Sequence, residues 1–391
     1  MSHSWIVSAQ RTPIGKFLGG LSSLPATQLA ATAIASAIER AGLPALMIDE
    51  VILGQVLQAG VGQAPARQAM LAAGIDASVP AVTINKVCGS GLKAIMLADQ
   101  AIRAGDAEVI VAGCMESMSR APHLLPASRT GAKFGHTQLL DSLLHDGLKC
   151  STEDVAMGCL ADQTALAEEI SRDDQDAFAL ESHRRAVAAQ DAGWFLDEIV
   201  PVAIGSNNFI GDDEGPRRDA TLPSLQKLRT AFGPQGTATA GNASQLSDGA
   251  AAVVVMDEET ARCVSSTIKA KIVATATSGG QPYDLFLAPI EAVRRVLHRA
   301  GLSTNDIDLF EINEAFASQC LACQRQLNIP LDRLNVHGGA IALGHPIGAS
   351  GARVLVTLLH ALARRDLRRG LATLCLGGGN AVAMIVERAE T

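Results

Sequence analysis

Apolar and polar positions alternate along the chain with the periods of strands and helices, in a regular order. Short, largely apolar runs at residues 6–9 and 48–54 predict buried strands. Between them, apolar residues spaced three or four positions apart predict an amphipathic helix that starts near Thr27 and stops at Gly42. Strands that alternate with helices in this way are typical of an α/β protein.

The same order of helix and strand returns in the second half of the chain. The matched segments are residues 40–43 with 299–302, 48–49 with 307–308, and 90–91 with 350–351. Each half then closes with an apolar strand that runs towards glycine, at residues 109–113 and 373–377. These matches predict an internal duplication, with two similar halves that pack together and bring loops from both to one cleft.

A stretch of different character separates the two halves. Residues 119–240 are richer in charge and contain a loop-like segment at 205–219, while Ser171 before several acids predicts a helix N-terminus. An apolar run at residues 249–256 then predicts a return to a buried strand. The predicted division is an N-terminal half of residues 1–118 plus 249–268, a loop domain of residues 119–248 that covers the cleft, and a C-terminal half of residues 269–391.

The composition narrows the class of protein. With 48% hydrophobic but only 3% aromatic residues, the 391-residue chain has cores built from small aliphatic side chains, which favours close packing of helices on a sheet. A formal net charge of −8 argues against general affinity for nucleic acids or membrane surfaces. An anionic ligand held in a local basic pocket remains compatible with it.

No targeting or membrane segment is recognisable. The first seven residues lack the basic and apolar regions of a secretory signal, and residues 387–391 are not a peroxisomal Ser-Lys-Leu address. No window approaches the roughly 18 apolar residues of a membrane span. A cytoplasmic protein is the expectation.

The eight cysteines are expected to be free thiols in such a protein. Cys320 and Cys323 form a single C-x-x-C pair, which is a possible redox or zinc half-site. Because no second pair or suitably spaced histidine accompanies it, we interpret it as core packing in an apolar helix and expect no metal site.

A glycine-rich stretch lies at residues 335–351, where five glycines and a proline surround His345. Such a run is neither a regular helix nor a regular strand, since glycine is needed for positive φ or close approach of the backbone. A tight crossover with a buried histidine would explain the loop, and so would a catalytic histidine.

Cys88 lies between a strand pattern at residues 82–87 and a helical pattern that follows. A thiolate at a helix N-terminus is stabilised by the dipole and by free backbone N–H groups, so Cys88 is a candidate nucleophile. A small buried hydrophobic residue is the alternative. The glycines at 89 and 91 favour the nucleophile, because a structural cysteine does not require open backbone beside it.

Two further candidates follow predicted strands. Cys375 precedes three glycines, but the run does not fit the dinucleotide-binding fingerprint, and a backbone N–H facing an oxyanion is the better use of it. Asn313 ends the duplicated strand where Gly54 ended its counterpart. An amide at that point is a functional candidate, although an N-cap would also explain it.

Together, four blocks resemble the signature blocks of the thiolases in order and spacing. The blocks are residues 88–91 (Cys-Gly-Ser-Gly), 313–316 (Asn-Glu-Ala-Phe), 344–346 (Gly-His-Pro) and 375–379 (Cys-Leu-Gly-Gly-Gly). The similarity covers essentially the whole chain, including residues 11–15 and 241–244. It implies a duplicated, layered αβαβα core with an inserted loop domain that holds coenzyme A.

The resemblance also implies catalytic roles. Cys88 would carry the acyl group as a thioester, His345 would act as its base, and Cys375 would take or return the α-proton of the second acyl-CoA. Asn313, through a water, and His345 would form an oxyanion hole for the enolate. Backbone N–H groups of Cys88 and Gly377 would form another for the tetrahedral intermediate.

For coenzyme A, the resemblance points to Arg217 near the adenine or its phosphates, to Ser224, Ala240 and Met157 along the pocket, and to Ser244 towards the pantetheine. Each also has an interpretation as a surface or turn residue. Coenzyme A and acyl-CoA would be substrates, with no permanently bound cofactor. The family forms homodimers and homotetramers, and no residue pattern separates the two here.

The chain departs from the family pattern around the acyl and pantetheine pocket. Ala156 replaces a histidine that is frequent in acetoacetyl-type members, residues 285–289 read Leu-Phe-Leu-Ala-Pro rather than Met-Gly-x-Gly-Pro, and His337 replaces a common asparagine. These changes leave the catalytic groups intact and leave the preferred acyl chain open.

The expected activity is that of an acetyl-CoA C-acetyltransferase, with a degradative 3-ketoacyl-CoA thiolase for longer chains as the alternative. A ketosynthase would pair its cysteine with two histidines, whereas this chain has Cys375. A non-catalytic acyl-CoA-binding or lipid-binding relative would be expected to lose Cys88, His345 or Cys375. A nucleotide-dependent dehydrogenase lacks its fingerprint here.

Overall fold

The computed structural model describes residues 3–131 and 133–389, so the first two and last two residues of the predicted halves lie outside the described residues. The strands are Ser4–Arg11 (β1), Gly15–Lys16 (β2), Glu50–Gly54 (β3), Ala81–Ile84 (β4), Val109–Ser117 (β5), His123–Leu124 (β6), Leu140–Asp141 (β7), Val202–Ala203 (β8), Phe209–Ile210 (β9), Ser247–Asp257 (β10), Ala270–Gly279 (β11), Leu309–Ile312 (β12), Arg369–Leu376 (β13) and Asn380–Arg388 (β14).

The α-helices are Ala26–Ala41 (α1), Pro65–Ala72 (α2), Ser90–Ala104 (α3), Met157–Ala167 (α4), Arg172–Asp191 (α5), Leu222–Gln226 (α6), Glu258–Arg262 (α7), Ala288–Ala300 (α8), Ala317–Leu327 (α9), Ala340–Leu343 (α10) and Ser350–Arg364 (α11). A π-helix spans Leu143–Leu148, and short 3₁₀ helices occupy Ala45–Met47, Met118–Arg120, Pro126–Arg129, Pro282–Leu287, Thr304–Asp306 and Leu331–Arg333.

A single large sheet runs through both halves of the molecule. Within the described residues its strand order is β4-β3-β5-β10-β1-β11-β14-β13-β12, with β2 paired beside β10. The halves join where β1 pairs antiparallel with β11, through Trp5 with Lys271 and Ile6 with Ala270. The strand order is therefore nearly symmetric about this junction.

The internal duplication predicted from the sequence is confirmed in detail. β3 runs parallel to β5, as β12 runs parallel to β13. Asp49, just before β3, accepts hydrogen bonds from the backbone N–H groups of Glu108 and Val109 at 2.8 and 2.9 Å. Asp308 accepts the equivalent bonds from Arg368 and Arg369 at 3.0 and 2.8 Å. The repeated Ile-Asp dipeptide thus has the same structural use twice.

The elements form the layered arrangement predicted from the sequence. Helices α3 and α11 lie in the middle, where they pack against strands of both halves, while α1 and α2 cover the outer face of the N-terminal half and α8 covers that of the C-terminal half. Along β5, successive side chains turn alternately to the two cores, since neighbouring residues of a strand point to opposite faces. Ile110, Ala112 and Cys114 contact the central core, and Val109, Val111 and Met115 contact the outer one.

The two central helices cross at the glycines of the repeated Ser-Gly pair. A Cβ added at Gly91 would lie 2.5 Å from the backbone nitrogen of Ala352, and one at Gly351 would overlap the backbone nitrogen of Leu92. Only glycine permits this approach. The crossing brings the N-terminal ends of both helices, and the loops before them, to one place.

Three boundaries differ from the sequence prediction. β4 ends at Ile84, so residues 85–89 form a turn rather than the end of a strand, and α3 begins at Ser90 rather than Cys88. β5 runs through Gly113 to Ser117, because it pairs along its whole length with β10. The first two differences place Cys88 in the turn before α3 rather than at the start of the helix.

The segment between β5 and β10 contains α4, α5, α6 and two short hairpins. The helix predicted at Ser171 is confirmed, with a reciprocal capping box in which the Ser171 hydroxyl accepts from the Asp174 backbone at 3.1 Å and the Asp174 carboxylate accepts from the Ser171 backbone. β10 lies between β1 and β5 in the sheet. The division of the chain into three domains stays a prediction.

Cys320 and Cys323 are buried in α9, as expected for core packing. In the part of the chain that the structure describes, no helix combines the length and apolarity needed to cross a lipid bilayer.

Candidate active site

A cavity of about 180 Å³ opens where loops from both halves and the intervening segment meet. Its wall is mostly apolar, and three reactive side chains face it: Cys88, His345 and Cys375. The remaining wall residues are Val87, Leu144, Gly147, Leu148, Ala156, Met157, Gly158, Phe232, Ala243, Ser244, Leu246, Leu285, Phe286, Ala315, Phe316, Ile347 and Gly377. Candidates that lie hundreds of residues apart in sequence therefore share one site.

Cys88 lies on a sharp turn between β4 and α3. Val87, just before it, has a φ of 48°, which is rare for a β-branched residue and marks local strain. The turn is held by the Asn85 side chain, which accepts from the Val87 backbone at 2.9 Å, and by the Ser90 hydroxyl, which donates to the Val87 carbonyl at 2.7 Å. The strained turn presents the Cys88 thiol to the cavity.

Burial raises the pKa of the Cys88 thiol to about 11, while backbone N–H groups of Gly377 and of Cys88 itself act in the opposite direction. Burial therefore opposes the thiolate that the sequence analysis expects at this helix N-terminus. Desolvation is the largest cause of the raised pKa, because Cys88 lies in an apolar cavity and α3 begins two residues beyond it. The thiol is protonated at neutral pH and needs a base.

His345 is suited to be that base. Burial lowers the pKa of its imidazole to about 3, with a smaller contribution from the Arg353 guanidinium, so the ring is neutral and can accept a proton. Its backbone N–H donates to the Gln245 carbonyl at 2.9 Å. The ring Nδ1 lies 2.5 Å from the Ser350 hydroxyl, which itself donates to the Pro346 carbonyl at 3.0 Å.

This arrangement assigns the tautomer of His345. A serine hydroxyl has one proton to donate, and the Pro346 carbonyl accepts it, so Ser350 accepts from Nδ1–H of the histidine. The unprotonated nitrogen is then Nε2. Ser350 was not identified as a site residue from the sequence, although it starts the helix that follows the glycine-rich loop.

Replacing Ser350 with alanine is expected to lower kcat about 10-fold, because the bond that orients the imidazole is lost. Steady-state thiolysis of acetoacetyl-CoA measures the effect. Ser318→Ala is the matched control, since the Ser318 hydroxyl is also buried and donates to a backbone carbonyl, that of Ala161 at 3.1 Å, without contacting His345. Equal rates for the two variants would contradict the orienting role.

Asn313 lies behind His345 rather than in the cavity wall. Its side-chain nitrogen is 3.5 Å from Nδ1 and 3.4 Å from Nε2 of the histidine, distances that place the amide over the ring. Among the described residues, its fully buried Oδ1 has no hydrogen-bond partner. The amide therefore keeps hydrogen-bonding capacity beside the imidazole.

Cys375 is the last residue but one of β13, and Gly377 follows the strand. Burial raises the pKa of the Cys375 thiol well above its usual range, and the nearby Cys88 adds to the shift. Gly378 and Gly379 have φ values of 82° and 81°, which allow the chain to turn directly into β14. The turn leaves the backbone N–H of Gly377 directed at the Cys88 sulfur.

The five residues matched to coenzyme A contacts divide into two groups. Met157 and Ser244 line the cavity. Arg217, Ser224 and Ala240 are exposed and do not belong to its wall. The Ser224 hydroxyl is already used in a capping box with Thr221 at the start of α6.

Three aromatic side chains, those of Phe232, Phe286 and Phe316, line the cavity. Phe316 packs edge-on against Phe286, with ring centroids 5.3 Å apart, and against Phe232 at 6.0 Å. Phe286 and Ala156, two of the departures from the family pattern, line the cavity as expected. His337 does not: it is buried against Trp194, with ring centroids 4.9 Å apart, away from the cavity wall.

The arrangement suits proton transfer between neutral groups in a water-poor site. A neutral base faces a protonated thiol, a second thiol lies close to the first, and two backbone N–H groups converge on the reacting sulfur. These are the components of covalent acyl transfer with oxyanion stabilisation. The described residues contain no cluster of histidine, cysteine, aspartate and glutamate suited to a metal ion.

Comparison with known proteins agrees with the site. Residues 4–259 match the family described as thiolase, N-terminal domain, and residues 266–388 match thiolase, C-terminal domain. An acetyl-CoA acetyltransferase of Pseudomonas aeruginosa is 51% identical over 387 residues, and one of Cupriavidus necator is 52% identical over 387 residues, each covering 98% of both chains. A probable acetyl-CoA acetyltransferase of Escherichia coli is 52% identical over 388 residues, which is 98% of this chain and 99% of the relative. The chain therefore belongs to the thiolase family.

Proposed function

We propose that the protein is an acetyl-CoA C-acetyltransferase, which converts two acetyl-CoA into acetoacetyl-CoA and free coenzyme A and catalyses the reverse thiolysis. The observation that carries the proposal is the convergence of Cys88, His345 and Cys375 on one apolar cavity. The names of relatives about 50% identical over the whole chain support the same reaction.

In the first half-reaction, Nε2 of His345 takes the proton of the Cys88 thiol as the sulfur attacks the thioester carbonyl. Backbone N–H groups of Cys88 and Gly377 stabilise the oxyanion of the tetrahedral intermediate. The intermediate collapses with loss of the coenzyme A thiolate, which takes the proton back from His345. Cys88 is left as an acetyl thioester.

In the second half-reaction, Nε2 of His345 takes the proton of the Cys375 thiol, and the resulting Cys375 thiolate takes a proton from the methyl group of a second acetyl-CoA. His345, and Asn313 through a water, stabilise the resulting enolate oxygen, for which the free hydrogen-bonding capacity of Asn313 is suited. The enolate carbon attacks the Cys88 thioester, forming the new C–C bond, and the Cys88 thiolate leaves and takes the proton from Nε2 of His345. Each step exchanges one proton or one acyl group and needs no further reactant.

Coenzyme A is proposed to enter past Met157 and Ser244, so that its pantetheine reaches the cavity. Arg217 is exposed, and its charge is available for the phosphates at the outer end of the molecule. Ser224 and Ala240 remain proposed contacts along the way. Assembly into homodimers or homotetramers is part of the proposal.

A longer-chain thiolase is the competing function, and the small cavity, lined by Phe232, Phe286 and Phe316, argues against it. Thiolysis of acetoacetyl-CoA is expected to exceed that of 3-ketoacyl-CoAs with six to sixteen carbons by at least about 10-fold in kcat/KM, because each extra methylene must fit into a cavity of only about 180 Å³. Higher kcat/KM for the longer substrates would overturn the choice of substrate. Absence of turnover with every substrate, despite binding, would favour an acyl-CoA-binding protein.

A further inference from the structure

Glu116 is a buried acid that the proposed reaction leaves unused. It lies near the end of β5 and is fully buried. Its carboxylate accepts three backbone hydrogen bonds: one oxygen accepts from Gly348 at 2.9 Å and from Val56 at 3.1 Å, and the other from Leu57 at 3.2 Å. No other strand residue described in the structure joins both halves of the molecule through such a cluster of bonds.

Each bonded segment forms part of the catalytic site. Gly348 belongs to the loop of residues 345–349, which starts with His345 and contributes Ile347 to the cavity wall. Val56 and Leu57 pack against Ile347 in a small apolar cluster that also contacts Cys88. The carboxylate therefore ties the loop that carries the base to the half that carries the nucleophile.

The backbone of the loop is adapted to this contact. A Cβ added at Gly348 would lie 2.6 Å from the Glu116 carboxylate and 2.9 Å from the Val56 nitrogen, so a larger residue cannot approach as closely. Cys114, two residues before Glu116 in β5, donates from its thiol to the Ala349 carbonyl at 2.6 Å. Two side chains of β5 thus hold consecutive residues of the loop.

We propose that Glu116 is a positioning residue, whose carboxylate joins residues 56–57 to Gly348 and thereby fixes the position of His345 relative to Cys88. Glu116 does not line the cavity and so does not touch the substrate. This inference rests on the proposed thiolase reaction for its turnover measurement, but not for the chemical test below.

Glu116 makes the positioning sensitive to pH. Burial raises the pKa of its carboxyl to about 7, the three backbone N–H groups lower it, and Asp248 on the adjacent β10 raises it. The other titratable groups that face it are the Cys88 and Cys114 thiols, whose own pKa values it raises, and His345 is on the loop it holds. Below about pH 7 a carboxyl proton occupies one oxygen, which then cannot accept all of its hydrogen bonds.

Two effects of ionisation oppose each other. The negative charge disfavours the Cys88 thiolate, but its contribution to the raised pKa of that thiol is smaller than those of burial and of the backbone N–H groups. The backbone bonds are direct contacts with the loop, and a displacement of about 1 Å in an active site costs on the order of 100-fold in rate. We therefore expect activity to fall as Glu116 is protonated.

The test is Glu116→Gln, followed by acetoacetyl-CoA thiolysis between about pH 5.5 and pH 8.5. The amide keeps the size of the side chain but directs an N–H₂ group at backbone donors, so kcat is expected to fall about 10- to 100-fold while KM changes less than about 2-fold. The fall in activity below about pH 7, which is the acidic limb of the pH profile, should disappear in this variant. A merely structural role would lower stability without removing that limb.

Asp248→Asn is the matched control, because Asp248 is a neighbouring, largely buried acid that accepts from the Ser119 backbone at 2.9 Å and forms no hydrogen bond with the described residues of the His345 loop. Its removal should move the limb to lower pH, since Asp248 raises the pKa of Glu116, and leave the plateau rate unchanged. Glu116→Asp, which keeps the charge with a shorter reach, should retain the limb at reduced kcat and serves if the glutamine variant does not fold.

Alkylation of Cys88 by iodoacetamide, followed by peptide mass spectrometry, gives a readout independent of turnover. Because the Cys88 thiol is protonated, its alkylation rate should rise with pH throughout this range, with an additional step near pH 7 in the native sequence that is lost in Glu116→Gln. Unchanged kcat and unchanged pH profiles in both glutamate variants would overturn the positioning role. If the native chain shows no thiolysis but the alkylation step near pH 7 depends on Glu116, the proposed function fails and the positioning role stands.

Discussion

Replacing Cys88 with serine is expected to abolish the covalent acyl-enzyme and to lower thiolase turnover by at least about 10⁴-fold. A serine hydroxyl is a much weaker nucleophile than a thiol. Because the pKa of His345 is lowered to about 3, its imidazole is too weak a base to deprotonate a serine hydroxyl. Incubation with radiolabelled acetyl-CoA, followed by denaturation and counting of protein-bound label, measures the adduct directly.

Cys263→Ser is the control for the first experiment, because Cys263 is the cysteine that the structure exposes most clearly and it lies outside the cavity wall. It should retain full labelling. A labelled adduct that persists on Cys88→Ser at the native level would refute the assignment of the nucleophile. The native chain should carry the label on the peptide that contains Cys88.

Replacing Cys375 with alanine is expected to separate the two half-reactions. The variant should still take up an acetyl group from acetyl-CoA, since Cys88, His345 and the backbone N–H of Gly377 remain. Condensation should fall by about 10²- to 10⁴-fold, which is the usual contribution of a general base. Acyl uptake and acetoacetyl-CoA formation are measured on the same preparation.

Cys320→Ala is the matched control for Cys375→Ala. Cys320 is also fully buried, but it lies in α9 and does not line the cavity. Its replacement removes a buried thiol, as Cys375→Ala does, but leaves the proposed base in place. It should keep condensation near the native rate. Undiminished condensation by Cys375→Ala would assign the proton transfer to another group.

Much of the fold could be predicted from the sequence because the decisive signals are local and occur in both halves of the chain. The helix stops at Gly42 and Gly301 are both left-handed in the structure, with φ values of 66° and 65°. The repeated Ile-Asp dipeptide marks equivalent strands, and its aspartates make equivalent backbone bonds. Such features depend on neighbours in sequence, so their spacing is enough to find them.

The candidate residues were predictable for a related reason. Cys88, His345 and Cys375 each adjoin glycine at the edge of a regular element, a context that ordinary core packing does not require. The sequence could not show that they meet. Their convergence depends on the crossing of α3 and α11 at Gly91 and Gly351, which joins segments about 260 residues apart.

The protonation states were decided only by the tertiary structure. From the sequence, Cys88 at a helix start predicts a stabilised thiolate, but burial raises the pKa of its thiol to about 11 and makes a neutral His345 necessary. Desolvation depends on everything packed around a group, and no local pattern encodes it. The residues that orient the base were missed for the same reason.

The sequence by itself therefore determined the duplicated α/β architecture and the identities of the reactive groups, because these follow from local periodicity and glycine context. The tertiary structure alone decided which groups meet, which are charged and what holds them in place. Glu116 contacts Gly348 from 232 positions away in sequence, and a single acid at the end of an apolar strand gives no sign of that contact. The physical reason is that hydrogen bonding and desolvation act through space, whereas a sequence records only order along the chain.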